Sequence, residues 1–209
     1  MDGSALPDKD LIDEARRGTA FALEAIMRRH NRRLFRVARA IVKDEAEAEE
    51  VVQDAYLRAF TRLDQLQGPA ALSAWLTRIT VNEALQRLRQ RRRAEALTGM
   101  LDQPASPFDP ERLAASREVK HLVEQAIDRL PDEFRAVFVL RCVEQLSVAE
   151  TAECLGIPPE TVKSRLFRAR ALMRRALGGV LERLLPSTFP FAGARCDRIV
   201  RRVLAALER

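Results

Sequence analysis

Apolar residues recur at every third or fourth position along nearly the whole chain, and the polar residues between them carry charge. The stretch TVKSRLFRARALMRR, Thr161 to Arg175, shows the pattern at its clearest. At about 100° per residue, Val162, Leu166, Ala169 and Met173 fall in one narrow sector, which is the sector expected to pack inward. Lys163, Arg165, Arg168, Arg170, Arg174 and Arg175 flank the opposite side, with Ser164, Phe167 and Ala171 at the centre of the outward face. The same period predicts helices over Ala20 to Val42, over Glu45 to Leu63, and from Ser73 into the basic run QRLRQRRR that ends at Arg93. A break is expected at Gln67, Gly68 and Pro69. No alternation of period two is sustained anywhere, so the fold class is all-α.

Between Thr98 and Pro110 the segment TGMLDQPASPFDP has three prolines, a glycine and no periodicity, which marks a flexible linker between two small helical domains. The expected organisation is a first domain over 1–95, a linker over 96–116, a second domain over 117–178 and a C-terminal extension over 179–209. The extension ends in a short helix with Ile199, Val200, Val203, Leu204 and Leu207 on one side.

The second domain has the local chemistry of a helix-turn-helix. Ser147-Val-Ala-Glu150 has the form of a capping box, in which the Ser hydroxyl and the Glu carboxylate satisfy free amides at a helix start. Gly156 suits a left-handed helix stop, and Pro159 suits the first position of the next helix. Ala152 is small where the two helices would cross, and Ile157 and Val162 plug the angle between them. In such a motif the second helix enters the DNA major groove. Lys163 and Arg168 are then placed to donate to guanine, Ser164 to contact a base or a phosphate, and Phe167 to meet a thymine methyl. Arg170, Arg174 and Arg175 are placed to neutralise the backbone, while Arg165 lies nearer the core boundary, where a structural role is equally open.

Charge agrees with an anionic partner. The 209 residues carry 36 Lys and Arg against 30 Asp and Glu, a formal charge of +6. Cys142, Cys154 and Cys196 have no CxxC or Cys/His ligand spacing, so neither a disulfide framework nor a metal site is expected. His30 and His121 stand apart from any nucleophile spacing, no Gly-rich phosphate loop occurs, and the chain is expected to be no enzyme and to need no cofactor. No apolar run approaches the roughly 20 residues of a membrane span, and MDGSALPDKD is not a signal segment, so no membrane insertion and a cytoplasmic location are expected.

Taken together, LSVAETAECLGIPPETVKSRLFRAR resembles the promoter −35 recognition region of the extracytoplasmic-function (ECF) group of the sigma-70 family. AEEVVQDAYLRAF, Ala48 to Phe60, resembles the core-polymerase-binding helix of that family, and SAWLTRITVNEALQRLRQRRR, Ser73 to Arg93, its −10 region. The resemblance implies docking of Glu50, Gln53, Asp54 and Leu57 on the clamp helices of the polymerase β′ subunit. The residues alone also permit a plain solvated acidic face there. It further implies −10 contacts by the loop from Leu66 to Leu72 and by Asn82, Arg87, Arg89 and Arg91, and −35 contacts by Lys163, Ser164, Phe167, Arg168, Arg170 and Arg174. The implied partners are core RNA polymerase, through the β′ clamp helices and the β flap, promoter DNA and an anti-sigma factor. Asp102 and Asp109 give the linker some negative charge for a path toward the RNA exit. The extension lies outside the common pattern, and folding back on the second domain, extra DNA contact through Arg198, Arg201 and Arg202, and regulator binding are all open to it. The rival reading is an operator-binding helix-turn-helix regulator with no affinity for polymerase, which predicts dimeric binding to paired half-sites.

Overall fold

The computed structural model describes residues 7–66, 68, 71–98, 116–177 and 193–207, and all regular structure among them is helical. In chain order the helices are α1 (Asp8–Arg16), α2 (Ala20–Val42), α3 (Glu45–Phe60), α4 (Leu72–Thr98), α5 (Ser116–Asp128), α6 (Asp132–Phe138), α7 (Val148–Leu155), α8 (Pro159–Leu177) and α9 (Gly193–Leu207). A short 3-10 turn, Leu63–Gln65, follows α3, and a π-helical turn, Val139–Val143, follows α6. The linker expected at 96–116 falls almost wholly outside the described residues, and with it Asp102 and Asp109.

Local signals explain most boundaries. Asp44 caps α3 by accepting the Glu47 amide at 2.7 Å. The α3 helix ends at Phe60, short of the expected Leu63, and the chain tightens into the 3-10 turn that buries Leu63. Gly68 takes φ +91° at the expected break, while Gln67 and Pro69 lie outside the described residues.

The helices group into two compact units. The first holds α1, α2 as far as Arg39, α3, α4 as far as Ala84, and α9. Its core is built from Leu11 and Ile12, from Ile26, Met27, Leu34 and Phe35, from Ala48, Val52, Ala55 and Ala59, and from Leu72, Leu76 and Val81. Tyr56 is fully buried, and its hydroxyl donates to the Met27 carbonyl at 3.3 Å. A solitary helix of 15 residues is marginal in water, so α9 owes its stability to this packing, which buries Cys196, Ile199, Val200 and Val203.

The second unit holds the last turn of α2 with Lys43, α4 from Leu85, and α5 to α8. Val123, Ile127, Val137, Phe138, Val162, Ala169 and Met173 form its core. Arg135 is completely buried there. Its guanidinium donates to the carbonyls of Leu130 at 2.8 Å, Ile41 at 3.1 Å and Ala40, and to the Asp132 carboxylate. Arg91 donates to the Val42 carbonyl at 3.1 Å. The carbonyls that end α2, which have no partner within the helix, are thereby satisfied by two arginines.

The apolar residues of α4 change sides, and α4 is one uninterrupted helix. Leu72, Leu76, Val81 and Ala84 are buried in the part that belongs to the first unit, and Leu88 in the part that belongs to the second.

Candidate nucleic-acid interface

The helix-turn-helix forms as its residues require. Ser147 accepts the Glu150 amide at 3.1 Å while Glu150 accepts the Ser147 amide at 2.7 Å, which completes the capping box. Gly156 ends α7 at φ +61°. The Ile157 amide donates to Ala152 and the Gly156 amide to Glu153, the paired bonds of a Schellman stop. Pro159 opens α8. Val162, Leu166, Ala169 and Met173 are the buried residues of α8, the sector that the spacing predicts.

That packing turns the other face to solvent. Phe167 is 70% exposed, the most exposed large apolar side chain among the described residues. Lys163, Ser164, Arg168, Arg170 and Arg174 are exposed around it. Lys163 pairs with Glu160 at 2.8 Å, with both side chains largely exposed, so the contact is weak and open to exchange. The Ser164 hydroxyl donates to the Thr161 carbonyl at 3.1 Å. Arg168 and Arg174 have no ion-pair partner among the described residues. Arg165 instead reaches Glu133 of α6 at 3.1 Å, which gives it the structural role left open by the sequence. Arg170 lies 3.9 Å from the Cys142 sulfur.

On α4, Asn82 and Arg89 are exposed and Arg87 is half-buried. Arg89 donates back to the Leu85 carbonyl at 3.1 Å, and Arg91 is engaged with Val42. Trp75 is half-buried. The loop expected to handle the −10 element, Leu66 to Leu72, is described only at Leu66, Gly68, Ala71 and Leu72.

On α3, Ala48, Val52, Ala55 and Ala59 face inward as expected. Glu50 is exposed, and Gln53, Asp54 and Leu57 are half-buried along the outer side. A second side of α3 is also covered. Glu49 is buried, and α9 is what lies against it. Arg195 donates to Glu49 at 2.8 Å and to Glu45, and Arg198 donates to both Glu49 oxygens at 2.6 and 3.1 Å. Burial works to raise the Glu49 carboxyl, but the hydrogen bonds from Arg198 and Arg195 outweigh it and hold it below the ordinary glutamate value. Arg195 also stacks over Phe35 at 4.2 Å from the ring centre. Asn31 donates to the Cys196 sulfur at 3.1 Å, and Arg28 pairs with Asp197 at 2.8 Å.

This packing bears on one of the alternatives left open for the extension. Helix α9 of the extension packs into the first unit, not onto the second domain, and Arg198 donates to Glu49 with 45% of its side chain still exposed. Arg201 and Arg202 remain exposed.

The chain matches known proteins over both halves. The family described as Sigma-70 region 2 matches residues 26–94, and the family described as Sigma-70, region 4 matches residues 120–173. The ECF RNA polymerase sigma factor SigM of Mycobacterium tuberculosis is 38% identical over 175 residues, covering 82% of this chain and 85% of SigM. SigW of Bacillus subtilis is 30% identical over 179 residues, covering 81% of this chain and 96% of SigW. Among solved structures, CnrH in complex with the cytosolic domain of CnrY superposes with a TM-score of 0.57 at 26% identity, over 84% of this chain and 99% of CnrH. The sigma factor RpoE of Bartonella quintana, solved with the anti-sigma factor NepR, shares the fold with a TM-score of 0.59 at 24% identity, over 70% of this chain and 91% of RpoE. With both regions matched in order and relatives aligned over most of their length, the chain belongs to the ECF sigma factors of the sigma-70 family.

Proposed function

We propose that the chain binds core RNA polymerase and directs it to promoters by reading a −35 element with α8 and engaging a −10 element with α4. The observation that carries this reading is the outer face of α8, where a 70% exposed Phe167 sits among exposed basic residues beside a packed turn. A phenylalanine in that position is wasted on water and suits a groove that presents thymine methyls. Lys163 and Arg168 read bases, Ser164 and Phe167 complete the contact, and Arg170 and Arg174 neutralise phosphates. Asn82, Arg87, Arg89 and Arg91 serve the −10 side, while Glu50, Gln53, Asp54 and Leu57 dock on polymerase. The working partition is 1–95 and 117–178 with the linker 96–116 between them. Melting draws on binding energy in the holoenzyme, so the chain acts in the cytoplasm without chemistry or cofactor of its own. No described helix is long and apolar enough to cross a membrane.

A regulator of the anti-sigma class belongs to the same reading, because RpoE was solved with NepR. Run-off transcription from genomic promoter fragments, by core polymerase with and without the purified chain, tests the proposal. New start sites preceded by a shared pair of motifs support it. No stimulation, combined with stand-alone duplex binding, overturns it.

A further inference from the structure

Helix α9 lies beyond residue 173, where the second of the two family matches ends, yet it packs into the first unit against α3. The contact has two parts of different chemistry. Ile199 and Val203 are fully buried, and Val200 and Cys196 nearly so, which fixes α9 in place by burial of apolar surface. Arg195 and Arg198 then meet Glu45 and Glu49, one turn apart on α3, across a ladder of ion pairs. Arg195 is 15% exposed and Glu49 is 11% exposed, so the centre of the ladder is shielded from solvent.

The ladder changes what α3 presents. Its sequence, EAEAEEVVQDAYLRAF, has acidic residues at Glu45, Glu47, Glu49, Glu50 and Asp54, spread over more than half of the helix circumference. Glu49 and Glu50 are turned about 100° from each other. Once α9 is docked, Glu45 and Glu49 are neutralised by arginine and Glu49 is out of reach. Glu45 keeps 62% of its side chain exposed beside the exposed Glu50 and the half-buried Asp54 and Leu57, so Glu49 is the acidic residue that docking of α9 removes from the surface.

We propose that α9 is a brace that holds the polymerase-docking helix in place and takes Glu49 out of reach, with Arg195 and Arg198 as positioning residues that act through Glu45 and Glu49. The proposal rests on the reading that α3 docks on polymerase through Glu50, Asp54 and Leu57. It assigns to α9 the burial of Glu49 and the holding of α3 against rolling or fraying when a basic partner approaches. The arrangement favours a permanent brace over a releasable strap, since its apolar residues are as buried as the rest of the core.

Three full-length proteins and one control test this. In R195E/R198E, hydrogen exchange of α3 amides should speed up and core affinity should fall about tenfold, or about 1.4 kcal/mol, while binding of −35 duplex stays unchanged. R195K/R198K should restore only part of the affinity, because an ammonium cannot span Glu45 and Glu49 as the Arg195 guanidinium does. Asn31→Cys, oxidised onto Cys196, should hold α9 in place and keep wild-type core affinity. Unchanged exchange in R195E/R198E would overturn the brace, as would unchanged core affinity. Loss of core affinity on oxidation of the Asn31→Cys protein, recovered with reductant, would overturn it by showing that α9 must leave. Asp54→Lys separates the two readings: if it binds core normally, the docking face is wrong, and the α3 exchange rates alone decide whether α9 braces the helix.

Discussion

Arg198 and Glu49 lie 149 positions apart and meet through two hydrogen bonds, at 2.6 and 3.1 Å. Glu49 also takes Arg195, and the two arginines hold its carboxyl below the ordinary value of 4.5 against the upward pull of burial. A depressed carboxylate contributes stability that is present above the unfolded pKa and is lost as pH falls through the folded one. Docking of α9 is therefore expected to weaken as pH drops below 4.5. The melting temperature of the wild type should approach that of Glu49→Gln over that window, and a gap that stays constant to pH 3 would contradict the assignment.

His30 titrates in a different window. It is 8% exposed, its Nε2 has no hydrogen-bond partner among the described residues, and burial lowers its pKa from 6.5 to about 4. Asp8 pulls the other way, and Arg29 and Arg33 add to the lowering. The fold holds the neutral ring, so stability is complete above 6.5 and declines as pH falls toward 4, where the unfolded chain binds the proton first. At about 1.36 kcal/mol per unit this amounts to about 3 kcal/mol. Chemical denaturation of His30→Leu should show this slope abolished between pH 6.5 and 4.

Arg135 has four acceptors and no exposure. Arg135→Met leaves the carbonyls of Ala40, Ile41 and Leu130 without their donor in a dry site, at a cost of about 3 kcal/mol or more. Arg135→Lys should rescue little, because one ammonium cannot span the acceptors that a planar guanidinium serves. Urea unfolding of the second unit checks both variants, and a full rescue by lysine would show that charge alone matters.

The turn of the helix-turn-helix separates backbone cost from steric cost. A Cβ at Gly156 meets no atom within 4 Å, so the penalty of Gly156→Ala is conformational only, about 1 to 2 kcal/mol for a left-handed residue. Gly156→Asn should recover part of it. Ser147→Ala, which removes one arm of the capping box, should cost about 1 kcal/mol. Thermal melts of the three variants order them, and equal losses for Ala and Asn at 156 would point to a clash.

On the DNA face, Lys163→Ala and Arg168→Ala are each expected to cost about 1 to 3 kcal/mol and to relax preference at one −35 position. Arg174→Ala should weaken binding to all sequences alike and lower the salt slope by about one unit. Binding isotherms of holoenzyme on a set of single-base promoter variants at several salt concentrations distinguish the classes. Identical behaviour of all three variants would remove the division into base and phosphate contacts.

Much of this was legible in the sequence where the determining chemistry is local. The capping box at Ser147, the stop at Gly156 and the start at Pro159 lie within a few residues of the groups they satisfy, and the inward sector of α8 follows from spacing alone. The outer side of α3 was half legible, because Ala48, Val52, Ala55 and Ala59 mark the inner one, whereas the burial of Glu49 depends on α9. Two glutamates four apart and two arginines three apart do carry a signal, but they match only once the helices are known to be neighbours. Arg91 and Arg135 escaped for the same reason, since a basic residue that caps carbonyls distant in sequence reads like any other surface charge. The π-helical turn at Val139–Val143 has no marker in its run of apolar residues.

The first unit is assembled from segments on both sides of the second, because α9 is made after α5 to α8. At synthesis rates of about 5 to 20 residues per second, the interval between Ala84 and Gly193 is on the order of 5 to 20 s. During that time the seat of Ile199 and Val203 stands open, and Glu45 and Glu49 lack their arginines. The order of synthesis therefore makes α9 the last piece of the first unit, and the burial of Glu49 the last part of its assembly.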